Sequence, residues 1–446
     1  MIGYNDDTIC AISTPSGVGG IAVVRISGNK AIEIVDKIWR GKSIDSMATH
    51  TVHLGQIIDE DGNALDQAVA AVYRAPNSFT GEDVVELSVH GSLYIQQALL
   101  SSLIFNGARL ANPGEFTRRA FASGKFDLAQ AEAVADLIAS ESKAAHRIAM
   151  NQIRGNFSNR LKLLRDNLLQ LISLLELELD FSEEEVEFAS RNELINIATS
   201  VKEEVARLAK SFKAGKAIKE GIPVAIIGPT NAGKSSLLNA LLDDDRAIVS
   251  DIHGTTRDVI EDTLSLGDYK FRIMDTAGIR HTDDAIESLG ITRSLKAASS
   301  AEIVLSVIDI TNPIESDVAV SDATLLRVYN KLDKLDGTHT LPKDGITISA
   351  KTGEGLDKLK EKMISIAKEA ETTHSSVLVT NVRHLEALLN ADESITRALE
   401  ALNAQLSGEL VAQDLRLTIH HLSSILGEIS SDEVLGNIFS RFCVGK

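Results

Sequence analysis

Hydrophobic and polar positions fall into three textures along the chain. Up to about residue 115, short β-branched and apolar runs (TICAIST, GIAVVRISG, DQAVAAVYRAP, EDVVELSVHG) are separated by Gly, Pro and Asn turns, which predicts a mixed α/β unit. From about Phe116 to Lys216 the period lengthens. LKLLRDNLLQLISLLELELDF and NELINIATSVKEEVARLAKSFKAG set Leu, Ile and Val at three- and four-residue steps with almost no Gly or Pro. That spacing puts the apolar side chains on one face of long helices. Between Gly221 and about Ala370, strands alternate with helices: IPVAIIG, a helix from Lys234, YKFRIMDTAG, AEIVLSVIDI, TLLRVYNKLD and GITISAK. This is the rhythm of a parallel sheet covered by crossover helices. Helical texture returns from about Val379 to the end, in VRHLEALLNADESITRALEALNAQL and ELVAQDLRLTIHHLSSILGEI. Helices on both sides of a self-contained α/β unit predict that the unit is inserted into a helical domain.

Composition narrows the class. A chain of 446 residues is long for one core, so two to four domains are expected. No apolar run approaches the roughly 20 residues of a membrane helix, and the start, MIGYNDDTICAIST, is acidic where a signal peptide is basic. Cys10 and Cys443 stand at opposite ends with neither disulfide nor zinc spacing. These features point to the cytoplasm, with no membrane attachment. The formal net charge of −18 argues against tight, autonomous binding of nucleic acid, so a partner would supply much of the positive charge that a phosphate backbone needs.

Chemistry concentrates in the α/β unit. Gly228-Pro-Thr-Asn-Ala-Gly-Lys-Ser235 matches G-x-x-x-x-G-K-[ST] and follows the strand IPVAIIG. Its glycines let backbone N–H groups face a phosphate, and the helix start that follows adds its positive dipole end. Asn231, Ala232, Gly233, Lys234, Ser235 and Ser236 are therefore candidate phosphate contacts. Lys234 can reach β- and γ-phosphates and the Ser235 hydroxyl can ligate magnesium. The plain alternative, a chance Gly-rich turn, does not account for the strand before it and the helix after it.

Three more segments arrive in order. Asp275, Thr276, Ala277 and Gly278 end the next apolar strand, where a carboxylate can hold magnesium through water and a glycine N–H can approach a γ-phosphate. Asn330, Lys331 and Asp333 belong to an N-K-x-D segment; its final carboxylate can accept both the N1–H and the exocyclic amine of guanine, a donor pair that adenine lacks. Ser349, Ala350 and Lys351 would support the same base. Between the first two segments, Gly254-Thr-Thr-Arg-Asp258 occupies the place of a switch, with Thr256 a second magnesium hydroxyl. Together these imply a GTP-hydrolysing domain. No Gln follows Gly278; Ile279 and Arg280 stand there, and the acidic candidates to order water are Asp283, Asp284 and Glu287, each by residue type more readily a solvated loop charge than a catalytic group.

Over its whole length the sequence resembles the MnmE (TrmE) family of bacterial tRNA-uridine-modifying GTPases. The likeness is carried by Asn231 in the phosphate loop, AIVSDIHGTTRD, DTAGIR…IESLG, GGIAVVRISG, NSFTGEDVVELSVHG, PGEFTRRAFASGKFDLAQAEA and the terminal FCVGK. The resemblance implies a multidomain α/β plus all-α fold. An N-terminal α+β folate-binding and dimerisation domain (1–118) would precede a discontinuous helical domain (119–217 and 373–446), interrupted by a P-loop, Ras-like α/β G domain (218–372). Ser250, Asp251, Ile252, His253, Gly254, Thr255 and Thr256 would line the nucleotide. Asn231, Ser250, the Ile252 carbonyl and Thr255 would ligate potassium, and Glu287 would be catalytic, orienting water. Ser250 stands where the family usually has Thr, keeping the hydroxyl, and His253 where a small residue is usual. Arg25, Glu86, Lys125 and Lys446 would bind 5-formyltetrahydrofolate or a related reduced folate, and Cys443 is the cysteine of the C-terminal motif. The implied assembly is a homodimer working with the FAD-dependent MnmG/GidA partner, as a heterotetramer, on tRNA. The product is a carboxymethylaminomethyl-type group on the wobble uridine. The alternative is a ribosome-assembly or signalling GTPase whose flanking domains are interaction modules only.

Overall fold

The structure, a computed structural model, describes residues 7–180, 191–245, 262–274, 297–313, 323–335, 344–373, 377–429, 431–440 and 442–445. Its elements begin with β1 (Thr8–Ile12), β2 (Gly19–Ser27), α1 (Ala31–Ile38), β3 (Trp39–Arg40), β4 (Thr51–Ile58), β5 (Ala64–Tyr73), β6 (Val84–Gly91), α2 (Leu93–Phe105), β7 (Ala108–Leu110) and α3 (Glu115–Ala122). Helices α4 (Leu128–Ile138), α5 (Lys143–Ile153), α6 (Asn156–Asp180), α7 (Arg191–Lys210) and α8 (Phe212–Glu220) follow. Next come β8 (Ile222–Ile227), α9 (Lys234–Asp245), β9 (Asp262–Leu266), β10 (Tyr269–Ile273), β11 (Ile303–Asp309), β12 (Thr324–Asn330), β13 (Ile346–Thr347) and α10 (Leu356–Thr373). The chain closes with α11 (Val382–Asn403), α12 (Gly408–Leu426) and α13 (Asp432–Phe439). The long helical stretches and the alternating strands thus lie where the sequence periods put them. Among the described residues, no helix is long and apolar enough to cross a membrane.

The chain divides into two compact units, residues 1–135, 152–165 and 420–446 in one and 136–151 and 166–419 in the other. In the first, seven strands run in the order β3-β4-β5-β6-β2-β1-β7 among the described residues. All pairs are antiparallel except β1 with β7. The two-residue period decides which face each side chain takes. Val24, Ile26, Val85, Leu87, Val89, Ala68, Ala70 and Val72 turn to one face, where Ile34, Val35 and Ile38 of α1 and Leu99 and Leu103 of α2 close a core. Arg25 and Glu86, one step out of phase, belong to the other face, which carries Ile9, Ala11, Phe116 and Phe79. In the same unit Leu435, Phe439 and Phe442 pack on Leu128 and Ala131, so the chain's last helix seats on α4.

In the second unit six strands run β13-β12-β11-β8-β10-β9 among the described residues, parallel except for the β9–β10 hairpin. Here apolar residues are continuous rather than alternating. Every residue of IPVAII in β8 is buried, because helices cover both faces of a parallel sheet. Leu237, Leu238 and Leu241 of α9 and Leu359 and Met363 of α10 lie on one face; Ala298 and Ala301 meet Ala225, Ile227 and Val304 on the other. Beyond the sheet, α7 packs along α11, with Leu194, Ala198, Val201 and Val205 buried on the first helix and Leu388, Ala391 and Ile395 on the second. Segments nearly two hundred residues apart in sequence therefore share one helical core.

Candidate functional site

The phosphate loop joins β8 to α9, so its backbone leaves the C-terminal edge of the sheet, where an open α/β sheet places ligands. Two of its glycines are dictated by close approach. A Cβ on Gly228 would lie 2.2 Å from the Val307 carbonyl oxygen, and one on Gly233 would lie 2.2 Å from Asn330 Nδ2. Both also hold positive φ, 144° and 94°. Asn231 is exposed and left-handed at φ 64°, and the next residue, Ala232, is buried. Lys234 opens α9 with its ammonium folded back across the loop, donating to the Gly228 and Pro229 carbonyls at 2.8 and 2.9 Å. Burial lowers its pKa. Ser235 and Ser236 follow in the first turn of the helix.

The N-K-x-D segment sits at the end of β12, beside this loop. Asn330 is only 2% exposed. Its Nδ2 donates to the Ala232 carbonyl at 3.0 Å, and its Oδ1 accepts from the Ala350 amide at 3.0 Å. One side-chain amide thus ties the phosphate loop, β12 and the Ser349–Lys351 turn together. Gly233 has no side chain because that amide passes over it. Asp333 is exposed, and its Oδ1 accepts a 2.6 Å hydrogen bond from the buried Ser349 hydroxyl. That bond holds the Asp333 carboxyl below its usual range. Lys331, left-handed at φ 72°, reaches Asp309 Oδ2 with its ammonium at 2.6 Å. Asp309 was not a candidate from the sequence; the available signal was a lone carboxylate ending the apolar strand IVLSVID.

Of the predicted nucleotide residues, the structure brings together Asn231, Ala232, Gly233, Lys234, Ser235 and Ser236 with Asn330, Lys331, Asp333, Ser349, Ala350 and Lys351. Ser250, Asp251, Ile252, His253, Gly254, Thr255, Thr256, Asp275, Thr276, Ala277, Gly278 and Glu287 lie outside the described residues.

A second cluster stands on the N-terminal sheet. Arg25 and Glu86 are register partners on β2 and β6. Both Arg25 Nε and Nη2 reach Glu86 Oε1, each at 2.8 Å. The guanidinium also lies 5.3 Å from the Phe79 ring centre and 5.6 Å from that of Phe116, close enough for a cation–π contact. Lys125 is exposed, and a Cβ at Gly81 would stand 3.7 Å from its Cε. The C-terminal tail docks on the same unit, past the ends of β1 and β7: Gly445 accepts from Ser13 Oγ at 3.2 Å, and the Cys443 carbonyl accepts from the Gly114 amide at 3.4 Å, with the Cys443 side chain exposed. Lys446 lies outside the described residues. Phe79 and Phe116 escaped the sequence reading, since aromatic residues in a turn and a helix look like ordinary core.

Deeper in this unit Arg119 is buried and binds Asp7, Glu82 and Glu115 at 2.8, 3.0 and 3.2 Å. Arg109 joins it through Glu115 and Asp7, each at 2.6 Å. Burial alone would raise the Glu115 carboxyl. Hydrogen bonds from Arg109, the Asn112 amide and Arg119 outweigh it and pull the pKa down to about 2.

Comparison with known proteins covers almost all of the chain. Residues 8–125 match a family described as GTP-binding protein TrmE N-terminus, and residues 128–443 one described as MnmE helical domain. A tRNA modification GTPase MnmE from Parabacteroides distasonis is 52% identical over 459 residues, spanning 98% of this chain and all of that one. Proteins of the same description from Bacteroides fragilis and Cytophaga hutchinsonii are 48% and 46% identical, each spanning 99% of this chain and 100% and 98% of their own length.

Proposed function

This chain belongs to the MnmE (TrmE) family of tRNA modification GTPases, and from that premise we propose that its GTP hydrolysis is potassium-dependent and, with the FAD-dependent MnmG/GidA protein, serves to add a carboxymethylaminomethyl-type group to C5 of the wobble uridine of certain tRNAs. GTP hydrolysis in tRNA modification is its activity. The ribosome-assembly or signalling alternative is set aside, because the likeness runs through the flanking domains from end to end.

Asn330 is the observation that carries the nucleotide reading. By holding Ala232 and Ala350 at once, it fixes the distance between a loop suited to phosphates and the Asp333 carboxylate suited to guanine. Lys234 would exchange its two carbonyl contacts for phosphate oxygens. Ser235 and Thr256 would hold Mg2+, and hydroxyl oxygens among water and phosphate suit that hard cation. Asn231, Ser250, the Ile252 carbonyl and Thr255 would hold K+; the exposed, left-handed Asn231 supports this, since its amide stands on the rim of the loop. Bound there, the cations neutralise charge developing on the phosphate oxygens. Glu287 would orient the attacking water.

The Arg25 and Glu86 pair supports a folate site on the other unit. A carboxylate fixed by a guanidinium can accept from a pterin amino face, the Phe79 and Phe116 rings offer apolar surface beside it, and Lys125 and Lys446 suit the anionic tail. A homodimer in the cytoplasm, gripping tRNA mainly through its partner, fits the net charge of −18. Potassium dependence is tested by GTPase rates in potassium and sodium salts at equal ionic strength. A rate at least several-fold higher in potassium is expected, and equal rates contradict the proposal. Glu287→Ala should keep GTP binding and lose turnover.

A further inference from the structure

Helix α5 precedes the GTPase sheet in sequence by some seventy residues, yet it packs on it: Ala144 and Ile148 are buried in the same apolar core as Tyr269, Phe271 and Met363. A polar clasp accompanies that contact. Arg147 binds the Glu371 carboxylate in a fork, Nε to Oε1 at 3.0 Å and Nη2 to Oε2 at 2.7 Å, the strong form of a charged hydrogen bond. The Tyr269 hydroxyl donates to the same Oε2 at 2.6 Å. Arg147 Nη1 lies 3.4 Å from Asp268 Oδ2, and Lys143 Nζ 3.2 Å from Asp268 Oδ1. The Ala144 amide, in the first turn of α5 where no carbonyl of its own helix can accept, donates to the Asp268 carbonyl at 2.9 Å.

What Arg147 grips gives the clasp its meaning. Glu371 lies near the end of α10, which starts just after the Ser349–Lys351 turn; from Leu356 to Glu371 the helix rises about 22 Å. Asp268 and Tyr269 lie at the turn of the β9–β10 hairpin. The opposite end of β10, Ile273, pairs with Val224 of β8, the strand that delivers the phosphate loop, and the Met274 amide donates to the Val224 carbonyl at 2.9 Å. Arg147 therefore joins the far ends of two elements whose near ends stand at the guanine side and the phosphate side of one site. The hairpin is the less tied of the two. Its pairing with β8 begins only at Phe271, so its turn runs past the start of β8, where Asp268 and Tyr269 bond to α5 and α10 instead.

We propose that Arg147 is a positioning residue that couples α5 to the nucleotide: the clasp is closed with GDP and loosened by a γ-phosphate. In GTPases the γ-phosphate and its Mg2+ order the switch segments against the phosphate loop. Thr256 and Asp275, the candidates for that contact, flank the hairpin in sequence, and the inference rests on that reading of them. A pull toward the phosphate loop runs along β10 away from its turn, and so against the bonds to α5. Linkage is reciprocal, so losing the clasp must favour binding of a γ-phosphate by the factor with which a γ-phosphate loosens the clasp. A merely structural clasp would shift both nucleotides alike.

The test follows amide exchange in α5 of the full chain, in potassium and magnesium salts, with GDP and with guanylyl imidodiphosphate, a GTP analogue that keeps a γ-phosphate. The Ala144 amide should exchange about fivefold faster with the analogue, and Arg147→Met should erase the difference. Reciprocally, Arg147→Met should shift the ratio of the two Kd values about fivefold in favour of the analogue. Arg147→Lys, which keeps the charge and loses the fork, should fall between. Should Arg147→Met fold poorly, Glu371→Gln weakens the same pair, keeps an acceptor for Tyr269, and should shift the ratio in the same direction. The proposal is overturned if Ala144 exchanges alike with the two nucleotides, or if these variants leave the ratio unchanged or reverse it. Thr256→Ala should abolish the exchange difference; a difference that survives it removes the reading of Thr256 and leaves the clasp in place.

Discussion

The two polar clusters are built by opposite means. At the nucleotide site, short backbone-directed hydrogen bonds do the shaping: Asn330 grips a carbonyl and an amide, Lys234 two carbonyls, and the glycines at 228 and 233 make room for neighbouring atoms. On the N-terminal sheet, charges shape one another: Arg25 with Glu86, and Arg119 and Arg109 with Asp7, Glu82 and Glu115. At the phosphate loop the bonds run to main-chain carbonyls and amides, so a phosphate that draws Lys234 away displaces two carbonyl contacts and no ion pair. A cluster held by ion pairs has its charges engaged already, so a ligand there must add to pairs that exist or exchange with them.

That contrast makes the clusters separable, and substitutions can break or sharpen it. Lys234→Ala has the largest expected effect, a ~10³-fold fall in kcat/KM for GTP with the Kd for 5-formyltetrahydrofolate unchanged. A parallel loss of folate binding would show that the clusters are not independent.

Acid comes next. The folded Glu115 pKa of about 2 lies below the ordinary 4.5, so its contribution is complete above about pH 4.5 and lost as pH falls toward 2. The contribution is on the order of 3 kcal/mol. Trp39, the chain's one tryptophan, is buried in the core of that same sheet, so denaturant unfolding followed by its fluorescence reports on this unit. Glu115→Gln should flatten the pH dependence of that signal.

Asn330→Ala should cost about 2 kcal/mol of GDP binding, because the Ala232 carbonyl and the Ala350 amide both lose their partner. It should leave the acid response unchanged. Smallest is Glu86→Gln, with folate binding weakened about tenfold and GTP turnover unaltered.

The two clusters also differ in how far the sequence revealed them. The phosphate loop and the N-K-x-D segment were legible residue by residue, because each is contiguous and the backbone around it dictates residue type. The strands were legible too, by their period: alternating in β5 and continuous in β8. Pairings across long separations were not. Asp309 lies 22 residues from Lys331, and Arg119 lies 112 from Asp7. Nothing in spacing alone joins them until two strands come into register. Arg25 was singled out by family resemblance only. By itself it is a charge alternating along a strand, and the rings of Phe79 and Phe116 that give it a setting come from a turn and a helix elsewhere.

Mass analysis of tRNA wobble nucleosides from cells lacking this chain tests the central claim most directly. The account predicts wobble uridines without the C5 group, restored by the unmodified protein and not by Lys234→Ala. Wobble nucleosides unchanged in those cells, or fully restored by Lys234→Ala, would contradict it.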